Sequence, residues 1–369
     1  MTLASAVSAE MLVSDNFGSQ VLRFNEKTGE YLGTLVKSGE GGLDGATGMW
    51  VGFDGRLWVT SQNTGAILRY DLDSGDFLGV FANSDKAGLL GPSDLRLGQF
   101  GNLYVSNFGG TTVDTFDPTF GTYNGPFTKG GPLSGATYSK FGPDGNLYVS
   151  SFNTNQVLEY NGVTGEYIGV FASNPALAGP ASLSFRGGDL YVSGLISQNV
   201  LRFDATTGAF VDVFATPAPA QGPGGQSLQP FPSDLLFLND GRLLVSLTGQ
   251  GGIAAFDSTS GQQLQYFAAG GGLLVPGQML LLPDLIGGDA NRDGRVDLAD
   301  FGVLKINFGA GTSRAEGDFN GDKKVDLADF GILKANFGAS SAAPVPEPAT
   351  LLLALLGLAG LGLRRAVSR

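Results

Sequence analysis

The sequence predicts a mainly β protein: a six-bladed β-propeller over residues 11–284, followed by a small α-helical module and a C-terminal apolar helix. Three observations predict it. A strand of Leu-x-Val-Ser type recurs at Met11–Ser14, Leu57–Thr60, Leu103–Ser106, Leu147–Ser150, Leu190–Ser193 and Leu243–Ser246, with a period of about 45 residues. Gly-bearing turns precede the later copies, at Phe53-Asp-Gly55, Pro143-Asp-Gly145 and Asn239-Asp-Gly241. Between these strands lie further short strands and no long helical pattern, and four short strands per repeat mark a propeller blade.

Within a repeat, a second strand follows the motif, as in Val21–Phe24, Ile67–Tyr70, Val157–Tyr160 and Val200–Phe203. A Thr-Gly or Ser-Gly turn leads to a third, as in Gly29–Gly33, Gly75–Gly79 and Gly165–Gly169, and a fourth leads back, as in Ser93–Leu97 and Ser233–Phe237. The strand phase at the two chain ends is complementary. Met279–Leu281 should therefore lie beside Met11–Ser14 and close the ring without a free edge. The Leu-Tyr-Val-Ser and Asp-Gly motifs resemble those of the NHL-repeat and gluconolactonase-like six-bladed propellers, a likeness of architecture. Low-complexity stretches fall at Pro217–Gly225, an insertion in the fifth repeat, and at Ser340–Pro344, in a linker over 340–345.

Composition narrows the chemistry. Gly at 59 residues fits turns at every strand end, since 42% of the chain is hydrophobic. A net charge of −12 argues against nucleic acid and anionic membrane surfaces as partners. With His and Cys both absent, a Ser-His-Asp triad, a Cys-His dyad and His-ligated zinc are impossible. Oxygen chemistry remains. Aligned on the turns, the residues opening the innermost strands are Gly48, Asp94, Tyr138, Ser182, Asp234 and Gln278. Asp94 and Asp234 stand three blades apart, on opposite sides of the axial channel, and are the candidate catalytic residues. Gluconolactonase-like propellers hold Ca2+ at that level, which makes an axial metal one reading; turn-capping by the Ser-Asp pairs is the other.

Two copies of one acidic 12-residue loop follow, at Asp289–Asp300 and Asp318–Asp329. Ca2+ needs six to eight oxygens, supplied in such a loop from positions 1, 3, 5, 7, 9 and 12. In the first copy these are Asp289, Asn291, Asp293, the carbonyl of Arg295, Asp297 and Asp300. In the second they are Asp318, Asn320, Asp322, the carbonyl of Lys324, Asp326 and Asp329. Gly294 at position 6 suits the sharp turn, whereas Lys323 there predicts a strained and weaker second site. Each loop feeds a helix striped by Phe301, Leu304 and Phe308, or by Phe330, Leu333 and Phe337, with Gly309 and Gly338 placed as left-handed C-caps. Residues 286–339 resemble a type I dockerin, a tandem EF-hand-like module. That resemblance implies two Ca2+ ions and a cohesin-type partner read by Leu298, Ala299, Leu327 and Ala328, with Lys305 and Lys334 near the helix ends. Asp at position 12, shorter than the usual Glu, is common in that family.

The C-terminal stretch 346–369, preceded by Val345, carries Pro346-Glu347-Pro348, an uncharged run Leu351–Leu363, and then Arg364, Arg365 and Arg369. Thirteen residues at 1.5 Å span about 20 Å, short of a roughly 30 Å hydrocarbon core. The arrangement resembles a PEP-CTERM sorting signal, which implies transient membrane insertion and cutting by an exosortase near Pro-Glu-Pro. Val7-Ser8-Ala9 looks like the end of a secretory signal, so residues 1–10 read as its remnant with a start upstream; a short disordered tail on a cytoplasmic protein is the alternative. Three functions compete: an exported, surface- or matrix-associated binding or scaffold protein without catalysis; a calcium-assisted hydrolase or lyase of lactones or sugars; and a carbohydrate-binding accessory of a polysaccharide-degrading complex.

Overall fold

The computed structural model describes residues 10–52, 55–222, 224–282 and 286–340. The expectations for residues 1–9, most of the linker and the sorting tail lie outside them.

Among the described residues, six four-stranded antiparallel sheets form the blades of a propeller. The innermost strands are Pro276–Leu281 (blade one), Ala46–Val51 (two), Pro92–Leu97 (three), Ala136–Phe141 (four), Pro180–Arg186 (five) and Pro232–Phe237 (six). Each of these contacts its neighbours on both sides, so the ring is closed. In blade one the C-terminal strand pairs with Glu10–Asp15 as expected, with Met11 opposite Leu281, Leu12 opposite Leu280 and Val13 opposite Met279. This closure covers the edge that either terminal strand would otherwise expose. The insertion in the fifth repeat folds into a small pair, Ala220–Gln221 with Ser227–Leu228.

The recurring motif is fully interior, and each of its residues has a reason. Its Leu and Val positions lie in the hydrophobic layers between sheets. Its aromatic position reaches the next blade: Tyr104 packs on Phe141, Tyr148 on Phe185 and Tyr191 on Phe237, with ring centroids 5.1, 5.0 and 4.9 Å apart. Edge-on pairs of this kind add to simple area burial. The Thr-Gly and Ser-Gly turns also join blades. A Cβ on Gly75 or Gly165 would come within 1.7 or 1.8 Å of the preceding blade's Leu35 or Phe127 carbonyl oxygen. Both have positive φ, 77° and 72°, so glycine is required twice over.

The small module consists of two helices, Leu298–Asn307 and Leu327–Asn336, each opened by a capping box from Asp297 or Asp326. Its core is Val296, Leu304, Val325 and Leu333, flanked by Phe301, Phe319, Phe330 and Ile286. The apolar stripe is shorter than expected. Phe308 and Phe337 fall one residue past their helices and are about half exposed. Gly309 and Gly338 are left-handed as expected, yet their amides donate across the module, to the carbonyls of Val325 and Val296. They therefore tie the two loop–helix units together as well as ending the helices.

Candidate calcium loops and the mouth of the axial channel

In both loops the odd positions are organised by local hydrogen bonds. The Asn291 side chain accepts from the Asp293 amide and the Asp293 side chain from the Arg295 amide; Asn320 and Asp322 repeat this with Asp322 and Lys324. Position 1 accepts from the amide of position 6, Asp289 from Gly294 and Asp318 from Lys323. Position 9 caps the helix through Ala299 or Ala328.

Position 12 behaves differently from a simple ligand. Asp300 is fully buried, and its carboxylate accepts from the amides of Ala290 and Asp297. Asp329 does the same with Phe319 and Asp326. These carboxylates lock loop to helix, and a cation would have to share them with the amides. Consistent with that turning-in, no group of three or more acidic side chains converges on one point among the described residues.

The donor set nevertheless fits a hard cation, most directly in the first loop. The Asp289 Oδ1 atom is buried without a hydrogen-bond partner. Burial, and then the charges of Asp300 and Asp293, push the Asp289 carboxyl up to about 6. A buried acceptor without a donor costs roughly 1–3 kcal/mol, and a cation is what would relieve it. In the second loop both Asp318 oxygens accept amides, from Gly321 and Lys323.

The structure changes the argument about turn strain. Lys323 does have positive φ, 64°, but so does Arg292 at position 4 of the first loop, 56°. The matching positions are Gly321 and Gly294, 78° and 81°. Each loop thus has two left-handed positions, one filled by glycine and one not, and strain does not rank them. Position 4 escaped the sequence reading because its backbone requirement leaves no mark on residue type when the residue is Arg. The Arg292 side chain is 7% exposed and ion-pairs with Asp73, in a turn of blade two.

In the channel, Asp94 and Asp234 serve blade closure. Asp94 is gripped by both ends of the Arg96 guanidinium at 2.9 Å and accepts from the Ser139 amide of blade four. Asp234 accepts from the Met279 amide of blade one and from Ser182 of blade five. Gln278 accepts from the Met49 amide of blade two. Burial raises the Asp234 carboxyl to about 6. The Ser-Asp pairs are not turn caps: their serines also cross between blades.

Two further rings sit beside this one. Just before each ring residue come Thr47, Ser93, Thr137, Ala181, Ser233 and Gly277. Thr47 donates to Pro92 O, Ser93 to Ala136 O, Thr137 to Pro180 O and Ser233 to Pro276 O, each in the next blade. Where this position is Ala181 or Gly277, the motif serine substitutes, Ser193 donating to Ser233 O and Ser14 to Thr47 O. All six interfaces therefore carry a hydroxyl bridge. The outermost ring lies two residues after the motif serine or threonine: Asn16, Gln62, Phe108, Phe152, Leu195 and Thr248. With the other two rings it lines a cavity of about 330 Å3. That constant offset was the available signal in the sequence, obscured because the six residues share no chemistry.

Comparison with known proteins agrees with this organisation. Residues 287–338 match the dockerin type I domain, and residues 344–366 match the PEP-CTERM protein-sorting motif. No curated protein matches the chain. Among solved structures, a chain of the nidogen/laminin complex aligns at TM-score 0.57 and 12% identity, over 75% of this chain and 99% of that one. A protein of unknown function from Bacteroides caccae aligns at TM-score 0.56 and 16% identity, over 74% and 98%. At such identities the likeness is one of fold.

Proposed function

We propose that this chain is an exported docking protein: a propeller displayed at the cell surface or in the extracellular matrix and attached to a partner through a calcium-dependent dockerin. The observation that carries the reading is the pair of matching acidic loops, one with an orphaned buried carboxylate oxygen at its first ligand position. Two Ca2+ ions, one per loop, are held by Asp289, Asn291, Asp293, Arg295 O, Asp297 and Asp300, and by Asp318, Asn320, Asp322, Lys324 O, Asp326 and Asp329. A cohesin-type module is the partner. Leu298 and Leu327 support this, since both are 74% exposed at equivalent helix starts. Export is supported by the sorting motif over 344–366, with an exosortase acting near Pro346–Pro348 on a membrane-inserted precursor.

The propeller contributes binding rather than catalysis. Both channel carboxylates are engaged by neighbouring blades, and Asp94 is neutralised by Arg96. Calorimetric titration of the full chain with Ca2+ tests the reading. Two ions per chain are expected, one lost in Asp289→Ala and the other in Asp318→Ala, with chelator abolishing capture of a cohesin module. A chain that takes up no calcium would refute the docking role. Intact mass of the native protein, with Arg364 and Arg365 absent, tests processing.

A further inference from the structure

The six residues at the channel mouth differ from blade to blade, and their order is not scattered. Thr248, Asn16 and Gln62 belong to blades six, one and two, which are adjacent. Phe108, Phe152 and Leu195 belong to blades three, four and five. One half of the rim is thus neutral and polar, and the other half is apolar. All six are only partly buried and line the same cavity.

The two halves are separately organised. Phe108 and Phe152 meet edge to face, with centroids 5.4 Å apart. Asn16 Nδ2 donates to Gln62 Oε1 at 3.0 Å, which leaves Asn16 Oδ1 and Gln62 Nε2 for a ligand. Below the rim the hydroxyls of Thr47, Ser93, Thr137 and Ser233 spend their protons on carbonyls, so toward the cavity they offer acceptor lone pairs. No charged side chain stands on the rim. Deeper in the cavity, Asp94 is 1% exposed and paired with Arg96, and Asp234, 5% exposed, accepts from Ser182 and the Met279 amide, so the only charges below the rim are acidic or paired. The cavity, about 330 Å3, is at the small end of the range for small-molecule sites.

We infer that the mouth binds a neutral carbohydrate. A pyranose ring has the same division as the rim: a C–H face that packs on aromatic rings, and a hydroxyl edge that both donates and accepts. Its C–H face would lie on Phe108 and Phe152, and its hydroxyls would meet Asn16, Gln62 and Thr248. An acidic sugar finds no cation at the rim, and a peptide would bring charged or amide groups against the apolar half. The site is independent of the calcium loops.

The test is binding of the full chain to an array of neutral glucan, mannan, xylan and galactan oligosaccharides, with uronate oligosaccharides and unrelated peptides beside them. Capture of at least one neutral class is expected, unchanged in Asp289→Ala. Phe108→Ala and Phe152→Ala should each weaken it about tenfold or more, equivalent to about 1.4 kcal/mol. Gln62→Ala, a substitution at the surface, should weaken it several-fold and decides the matter if the Phe variants melt early. Capture of uronates or peptides alone, of nothing, or binding indifferent to Gln62→Ala would overturn the inference.

Discussion

Within the two acidic loops, Arg292 and Lys323 hold a left-handed backbone that glycine would adopt more readily. Relief of strain at Lys323 should tighten calcium binding at the second loop by about 1 kcal/mol in Lys323→Gly. Arg292→Gly should gain less, because it also gives up the ion pair with Asp73. Calorimetry on the two variants separates these cases, and equal gains would show that the pair contributes nothing. Asp234 carries a different tension. Its folded pKa, about 6, stands above the ordinary 3.8, so the folded state binds more protons between those values. Propeller stability should therefore fall as pH rises from about 4 to about 6 and stay at the lower level above that. At about 1.4 kcal/mol per unit the whole effect is on the order of 3 kcal/mol. Asp234→Asn keeps an acceptor for the Met279 amide and should flatten this part of the profile in denaturant titrations from pH 4 to 7.

At the scale of the element, one motif position does different work in different blades. Ser193 and Ser246 donate to carbonyls of the following blade. Ser106 and Ser150, at the same position, have no partner for their Oγ atoms, since Ser93 and Thr137 make the bridge instead. Ser193→Ala and Ser246→Ala should cost about 1–2 kcal/mol, and Ser106→Ala and Ser150→Ala should be neutral or slightly stabilising. Urea unfolding of the four variants reads the difference. A uniform cost would mean that the hydroxyl bridges are not what the position contributes.

The whole molecule couples a large closed ring to a module with a very small core. Four fully buried side chains, with their flanking aromatics, give residues 286–340 little stability of their own, so much of it should come from bound ions. Scanning calorimetry should show two transitions. The lower one should move with calcium, by roughly 2.7 kcal/mol for each occupied site at a hundredfold excess over Kd, and disappear in chelator. The propeller transition should stay where it is, because its edges are paired through blade one and no calcium is needed to close it. A single transition shifting as a unit would instead show that the seat at Arg292–Asp73 makes the two parts one cooperative body.

Periodicity carried most of this architecture in the sequence. The repeat of Leu-x-Val-Ser strands and the complementary phase of Met11–Ser14 and Met279–Leu281 are local patterns, and they sufficed for blade number and for closure. The acidic loops were equally legible, because calcium chemistry demands oxygen-bearing side chains at fixed spacing. Tertiary structure decided what residue type does not encode. The positive φ of Arg292 is a backbone property, and the inward turn of Asp300 and Asp329 depends on which amides lie within reach. The bonds from Asp94 to Ser139 and from Asp234 to Met279 join residues 45 apart in the chain. The divided rim from Thr248 to Gln62 and from Phe108 to Leu195 exists only once six distant positions stand side by side around one axis.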